Sequence, residues 1–357
     1  MLTHLDETQA MLRDAARGFC VEQEGRRAAP RQALWTALAG MGWTGVTLPA
    51  ALGGSESTPV EAGVIAFEMG RSALFTSYPE TVALATVLAE ADTRNAATAA
   101  LLERVAEGEA ELLLGQREAP SPGASSAAGG ATGPVLDGRM VLPGSAAQAF
   151  VAVFRDQGQP LLLMVPLRAL PGTDLKTTAR TTAIAVSERG FEPDPAWIVL
   201  EGAAAAQAWH RARQIANVLY CAELVGATRR LHDIAFDYAM IRSQFGHLIA
   251  TYQAVQHALV DTFAAAEAAE LLTFRALNVL ASGDAAEPVV HPAVAFVREA
   301  AWTTLMKAYD ILGGVGFIEE HPISLYTRGM VPLVTFLGSA QSCNEAVADT
   351  VRKGHWF

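Results

Sequence analysis

Residues 241–257 read IRSQFGHLIATYQAVQH. An arginine, a Phe-Gly break and two glutamines fall within one short stretch of an otherwise apolar, alanine-rich half. Upstream, Ile215, Val218, Leu219, Leu224, Ala227, Leu231, Ile234 and Tyr238 recur every three or four residues, the period of an α-helix. About 37 helical residues from 205 to 241 would span about 55 Å, so Arg242 stands at the end of a long helix. A guanidinium there is a planar, permanently charged fork that suits phosphate oxygens. It equally suits the negative end of the helix dipole, with Gly246 as the stop. Gln253, Gln256 and His257 open the next helix, expected over 252–281. Their side chains can meet the polar edge of a ligand or simply face water.

Pro292 is expected to open a third helix, which stops at ILGGVGF, residues 311–317. Gly313, Gly314 and Gly316 let a backbone approach a flat or phosphorylated ligand closely, or form a plain helix C-cap. No strand precedes them and no acidic residue follows at the right spacing, so they are not a dinucleotide-binding fingerprint. Working outward, residues 1–112 also read as helical. Met11, Leu12, Ala15, Ala16 and Phe19 sit at helical spacing, and Leu34, Leu38 and Met41 share one side of a helix near 31–41. Thr58-Pro59-Val60-Glu61 combines an N-cap, a first-turn proline and a capping-box glutamate.

The segment 113–200 changes character. EAPSPGASSAAGGATGPVLDG is a Pro/Gly/Ser loop, followed by FVAVF (150–154) and PLLLMVPL (160–167) joined by Asp156-Gln157-Gly158-Gln159, a hairpin signal. TTAIAVS and AWIVLEG read as further strands. The expected fold class is therefore α+β: a helical domain over 1–112, a small β-domain over 113–200 and a helical bundle over 201–357.

Composition narrows the function classes. The chain has 357 residues, 51% of them hydrophobic and 18% charged, enough to bury a large core. A net charge of −11 argues against nucleic-acid binding. No run of 18 apolar residues marks a membrane span, and the opening MLTHLDETQAMLRDAARGF lacks the basic region of a signal peptide. Cys20, Cys221 and Cys343 form neither a metal spacing nor a disulfide framework. A reduced, cytoplasmic setting is expected.

In combination these elements carry more than they do singly. R-x-x-F-G at 242–246, a glutamine seven residues after that glycine, and D-I-L-G-G-x-G-F-x-E-x-H-P at 310–322 closely resemble the C-terminal half of the acyl-CoA dehydrogenase flavoproteins. LWTALAGMGWTGVTLPAALGGSESTPVEAGVIAFEMGRS resembles the N-terminal half of that family. The resemblance implies a helical N-domain, a middle β-domain and a C-terminal four-helix bundle. It implies FAD, an acyl-CoA thioester and, as the usual electron acceptor, an electron-transfer flavoprotein. In the implied reaction a carboxylate removes the α-proton while a hydride passes from the β-carbon to the flavin. The flavin supplies the redox chemistry and the protein orients it.

The same resemblance exposes departures. Phe336-Leu337-Gly338-Ser339 stands where the family carries its base, and Leu337 cannot accept a proton. The alternative base position of some members, 26 residues before Arg242, falls on Ala216. Val141 and Pro143 replace an aromatic and a hydroxyl that would face the flavin. The retained positions are those that reach a neighbouring subunit's FAD: Arg242, Gln244, Phe245, Gln253, Asp310, Gly313 and Gly314, with Asp310 in place of the usual glutamine. The resemblance thus implies no catalytic residue in this chain and a homologous partner carrying the glutamate, in a heterotetramer. An enzyme with a displaced base at Glu223, Glu319 or Glu320, and a flavin-free scaffold, are the alternatives.

Overall fold

The computed structural model describes residues 5–24, 31–91, 96–114, 139–143, 149–155, 160–169, 172–176, 182–187 and 194–354. The chain forms two compact units, one of Met1–Ala28, Ser57–Phe75 and Gln214–Phe357, the other of Ala29–Glu56 and Thr76–Arg213. The loop EAPSPGASSAAGGATGPVLDG and the turn at 156–159 lie outside the described residues.

In the first unit, α1 (Glu7–Glu24) packs along α3 (Pro59–Arg71). Arg17 grips the buried carboxylate of Glu68 with two hydrogen bonds of 3.2 and 2.9 Å. The start of α3 is the capping box read from the sequence: the Thr58 hydroxyl accepts from the backbone N–H of Val60, and Glu61 accepts from that of Thr58 at 2.8 Å. Eleven of the twelve residues Pro59–Gly70 of α3, all but Glu61, are buried, because another helix passes against its backbone. That helix is α6 (Gly202–Ile241), 40 residues and about 60 Å long. A Cβ on Gly70 would lie 1.9 Å from the Glu223 carbonyl oxygen, and one on Gly226 would lie 1.9 Å from that of Phe67. Glycine is thus required on both helices for this approach.

The rest of the unit is α7 (Gln253–Ser282), α8 (Glu287–Leu312), α9 (Ile323–Phe336) and α10 (Ala340–Arg352). Arg229 on α6 bonds Glu267 and Glu270 on α7. His291 on α8 meets Thr350 on α10 at 2.8 Å, and the Tyr326 hydroxyl of α9 donates to the Arg71 carbonyl at 2.6 Å. Pro292 does not open α8. The helix begins at Glu287 with Pro288 in its first turn, and Pro292 lies inside it. Being only five residues in, Pro292 forfeits a single helical hydrogen bond near an end where amides are unpaired in any case.

In the second unit, α2 (Arg31–Gly40), α4 (Tyr78–Glu90) and α5 (Ala96–Ala106) accompany two sheets. The first has strand order β1-β3-β4-β7, from β1 (Glu111–Leu114), β3 (Ala149–Arg155), β4 (Leu161–Pro166) and β7 (Ile198–Glu201). Strands β3 and β4 form the expected antiparallel hairpin, with Val151 opposite Val165, and β1 runs parallel to β3. The second sheet has order β2-β6-β5, from β2 (Arg139–Pro143), β5 (Gly172–Lys176) and β6 (Thr182–Ser187). Helix α4 is buried on every side from Tyr78 to Leu88, the mark of an interior helix. It covers the outer edge of β1. Thr81 Oγ1 donates to the Leu112 carbonyl at 3.1 Å and accepts from the Leu112 N–H at 3.0 Å, while Glu80 accepts from the Leu114 N–H at 2.8 Å. Side chains of a helix here take the place of a missing strand.

Candidate cofactor site

Arg242 is exposed at the end of α6, its N–H still bonded to the Tyr238 carbonyl at 2.9 Å. The chain does not simply stop at Gly246. It forms a two-residue hairpin in which β8 (Ser243–Gln244) pairs β9 (His247–Leu248) around Phe245 and Gly246. Both turn residues have positive φ, 53° and 82°, as a tight hairpin of this kind requires. For glycine this conformation is free, whereas for phenylalanine it is strained. The Phe245 ring stands outward, 91% exposed. Two bonds fasten the hairpin: the Ile249 N–H donates to the Arg242 carbonyl at 2.8 Å, and the Tyr252 hydroxyl donates to the Gln244 carbonyl at 2.9 Å. Tyr252, absent from the sequence-derived set, is the residue that orients the hairpin. The Gln244 amide donates to the Ser243 carbonyl and the Gln256 amide to that of Ala250, so both are partly committed within the loop. Gln253, first residue of α7, is exposed.

Asp310, Gly313 and Gly314 belong to the same end of the unit. Helices α7 and α8 pack against each other across the short connection 283–286, and Lys307 donates to Asp261 across them at 2.8 Å, which sets their register. From that crosslink, Gln253 is eight residues back along α7 and Gly313 six residues on along α8, or about 12 and 9 Å in the same direction for antiparallel helices. The start of α7, with its hairpin, and the glycine turn after α8 therefore share one end. At Gly313 the backbone takes φ +58°, and a Cβ added to Gly313 or Gly314 would meet nothing within 4 Å. The turn presents bare main chain to open space. Gly316 is different: it is buried, and its Cβ would press on Tyr309 at 3.1 Å. Asp310 is exposed. A carboxylate accepts hydrogen bonds and, when ionised, donates none.

The two positions that the resemblance assigns to a base, 216 and 337, lie elsewhere in this unit. Tyr220, one helical turn after Ala216, stacks on Phe336, the residue before Leu337, with centroids 6.2 Å apart and planes 8° from parallel. Ala216 is fully buried and Leu337 is 7% exposed. The turn between α9 and α10 is held by main-chain contacts: Arg298 Nε donates to the Gly338 carbonyl at 2.7 Å and Cys343 Sγ to the Leu337 carbonyl at 3.3 Å. Burial pushes the Cys343 thiol up from its ordinary value, so it stays protonated. Of the three other carboxylates considered, Glu223 is buried in the core, Glu319 is exposed and paired with Arg328 at 3.1 Å, and Glu320 is exposed. In the β-domain, Val141 lies opposite Ala185 and Pro143 opposite Ala183 on the β2–β6 ladder. Proline ends that strand without a ladder N–H.

Residues 6–109 match the acyl-CoA dehydrogenase N-terminal domain and residues 208–351 match the acyl-CoA dehydrogenase C-terminal domain. The chain belongs to the acyl-CoA dehydrogenase family. It is 28% identical over 338 residues to acyl-CoA dehydrogenase FadE34 of Mycobacterium tuberculosis, covering 93% of this chain but 43% of that relative. The chain thus spans less than half of FadE34. It is 26% identical over 306 residues to acyl-CoA dehydrogenase IpdE2 of the same organism, 83% of this chain and 80% of the relative. Among solved structures, a variant of the Tcur3481-Tcur3483 steroid ACAD superposes with a TM-score of 0.80 at 25% identity over 98% of both chains. The ChsE4-ChsE5 complex from Mycobacterium tuberculosis shares the fold, with a TM-score of 0.81 at 19% identity over 99% of each chain.

Proposed function

We propose that this chain is the subunit of a heteromeric acyl-CoA dehydrogenase that lacks the proton acceptor and completes the FAD site of a homologous, glutamate-bearing partner. One observation carries the reading. The two places where the family sets its base, Ala216 and Leu337, lie beside the single Tyr220–Phe336 stack and are both apolar, while the hairpin-and-glycine end is exposed and offers Arg242, Gln253 and bare main chain beside its apolar rings.

The residues at that end fit the group implied. A dinucleotide pyrophosphate needs cationic and amide donors and close main-chain approach. Arg242, Gln253 and the open Gly313–Gly314 turn would supply these, with the Phe245 ring as an apolar wall. Asp310 suits a hydroxyl or amino donor and is poorly matched to a phosphate. When bound, FAD accepts the hydride of an α,β-dehydrogenation. This chain's residues bind and orient, and they move no proton. The paired designation of the Tcur3481-Tcur3483 steroid ACAD supports a two-chain assembly, and a steroid-sized acyl thioester is the substrate class we favour.

The test is flavin content. Purified alone, the chain should be colourless. Co-expressed with its homologous partner, it should give a yellow complex with about half a flavin per chain, a ratio that follows if only one of two subunit types holds a cofactor. In that complex Arg242→Ala should lower flavin retention without changing the circular dichroism spectrum. A yellow homo-oligomer of this chain alone would overturn the proposal in favour of a displaced base. A complex that stays colourless would favour a flavin-free scaffold.

A further inference from the structure

The hairpin that carries Phe245 is too small to hold itself. Two residues pair on each side of the turn, Ser243 with Leu248 and Gln244 with His247, and a short two-stranded ribbon is marginal in water. Phe245 at φ +53° strains it further. All four paired residues are exposed, so burial adds little.

The residues that lead into α7 supply the missing hold. The Thr251 hydroxyl donates to the Leu248 carbonyl at 2.7 Å and the Gln256 amide to the Ala250 carbonyl at 3.0 Å, which braces the link between hairpin and helix. Tyr252 reaches further. Its main chain is built into the start of α7: its N–H donates to the Ile249 carbonyl at 3.1 Å, and its own carbonyl accepts from the Val255 and Gln256 N–H groups, each at 3.0 Å. Its hydroxyl donates to the Gln244 carbonyl at 2.9 Å. Gln244 directly precedes Phe245 and stands two residues after Arg242. A phenol swings about only two torsions, so a tyrosine anchored in a helix delivers its hydroxyl to a fixed point.

We infer that Tyr252 is a positioning residue: its hydroxyl holds the hairpin in the conformation that presents Arg242 and Phe245 to the partner's cofactor. This rests on the cofactor reading proposed above. The bond is exposed, and water can replace it without loss of fold. Without it, the hairpin must be ordered again each time the cofactor is engaged.

The test compares Tyr252→Phe with the unaltered chain. In the full chain alone, thermal unfolding should be nearly unchanged, while amide hydrogen exchange across 243–249 should quicken. In the complex with the homologous partner, flavin loss should become about five-fold faster, the size of one net hydrogen bond. Incorporating 4-aminophenylalanine at position 252, whose N–H can still donate, should restore the slow rate. Added to Arg242→Ala, Tyr252→Phe should contribute less than it does alone, since residues that act through one another do not add. Full additivity would overturn the inference, as would a matching loss of thermal stability or a failure to assemble with the partner. Unchanged flavin loss in Tyr252→Phe, with faster loss in Arg242→Ala, would overturn it and leave the cofactor reading standing. Unchanged loss in both would overturn the two together.

Discussion

Phe245 is kept in a conformation that its own side chain disfavours. At φ +53° a non-glycine residue is strained by about 1 kcal/mol or more, and nothing in the unit recovers this by burying the ring. A residue selected for the stability of this chain alone would be glycine or asparagine. Phe245→Gly should therefore leave the melting temperature of the isolated chain within a few degrees, since relief of strain and the added freedom of glycine are of similar size. The same change should reduce flavin retention in the assembled complex. A large loss of stability in the isolated chain would show that the ring serves this fold. Leu337 poses the converse case. A carboxylate introduced there enters a buried turn built around main-chain bonds from Arg298 and Cys343. Leu337→Glu should give no turnover in the isolated chain, as judged by reduction of an artificial electron acceptor with acyl-CoA, because a base without a competent flavin site has no oxidant to work with.

At the scale of elements, one hydroxyl does the most to join α4 to β1. Thr81 both donates to and accepts from the backbone of Leu112, and it is fully buried. Thr81→Val keeps the shape and removes both bonds, leaving a buried N–H and carbonyl unsatisfied. The expected loss is about 2 kcal/mol, measured by urea denaturation, and Thr81→Ser should recover most of it. This seam marks where the sequence stops being informative. The capping box of α3 and the β3–β4 hairpin are local patterns, written in adjacent residues, and the structure has both. A threonine that replaces a strand partner is defined by a contact 31 residues away, and no local period reveals it. The 241–248 hairpin was less legible for another reason. Phe-Gly flanked by Ser-Gln and His-Leu is a two-residue hairpin signal, but the glycine also reads as a helix stop. Only the positive φ of both residues decides between them. Pro292 misled because a proline near a helix start resembles one at the start. Among the candidate site residues, Arg242, Gln253 and the glycines come from the order and spacing of motifs in the resemblance, and the structure places each of them exposed at an element's end. Tyr252 was not, because its role is a bond to a main-chain carbonyl eight residues back.

For the whole molecule, the telling feature is the apolar surface that the first unit leaves in solvent. Val260, Phe263 and Leu271 on α7 share one side of that helix, Trp302 and Met306 are one turn apart on α8, and these and Phe296 are each 39–65% exposed. The hairpin adds Ile241 and Phe245, and the glycine turn adds Phe317, each at least 77% exposed. Scattered apolar residues are ordinary, but adjacent rows on two packed helices are not. Polar cover is available in the same helices, as the Lys307–Asp261 bridge shows, so these rows are uncovered by choice of residue and not by lack of alternatives. A chain destined to work alone would carry an aggregation risk here. A chain that joins a homologue would bury the rows and, by the proposal above, bring Arg242 to the partner's cofactor in the same event. The double substitution Val260→Asp and Met306→Asp should then leave the isolated chain folded and more soluble. It should prevent co-purification with the partner and, as a consequence, lower the flavin content of the mixture. If the pair still forms with its full flavin, the partner docks on another surface, and the two rows face something other than the subunit whose cofactor Arg242 meets.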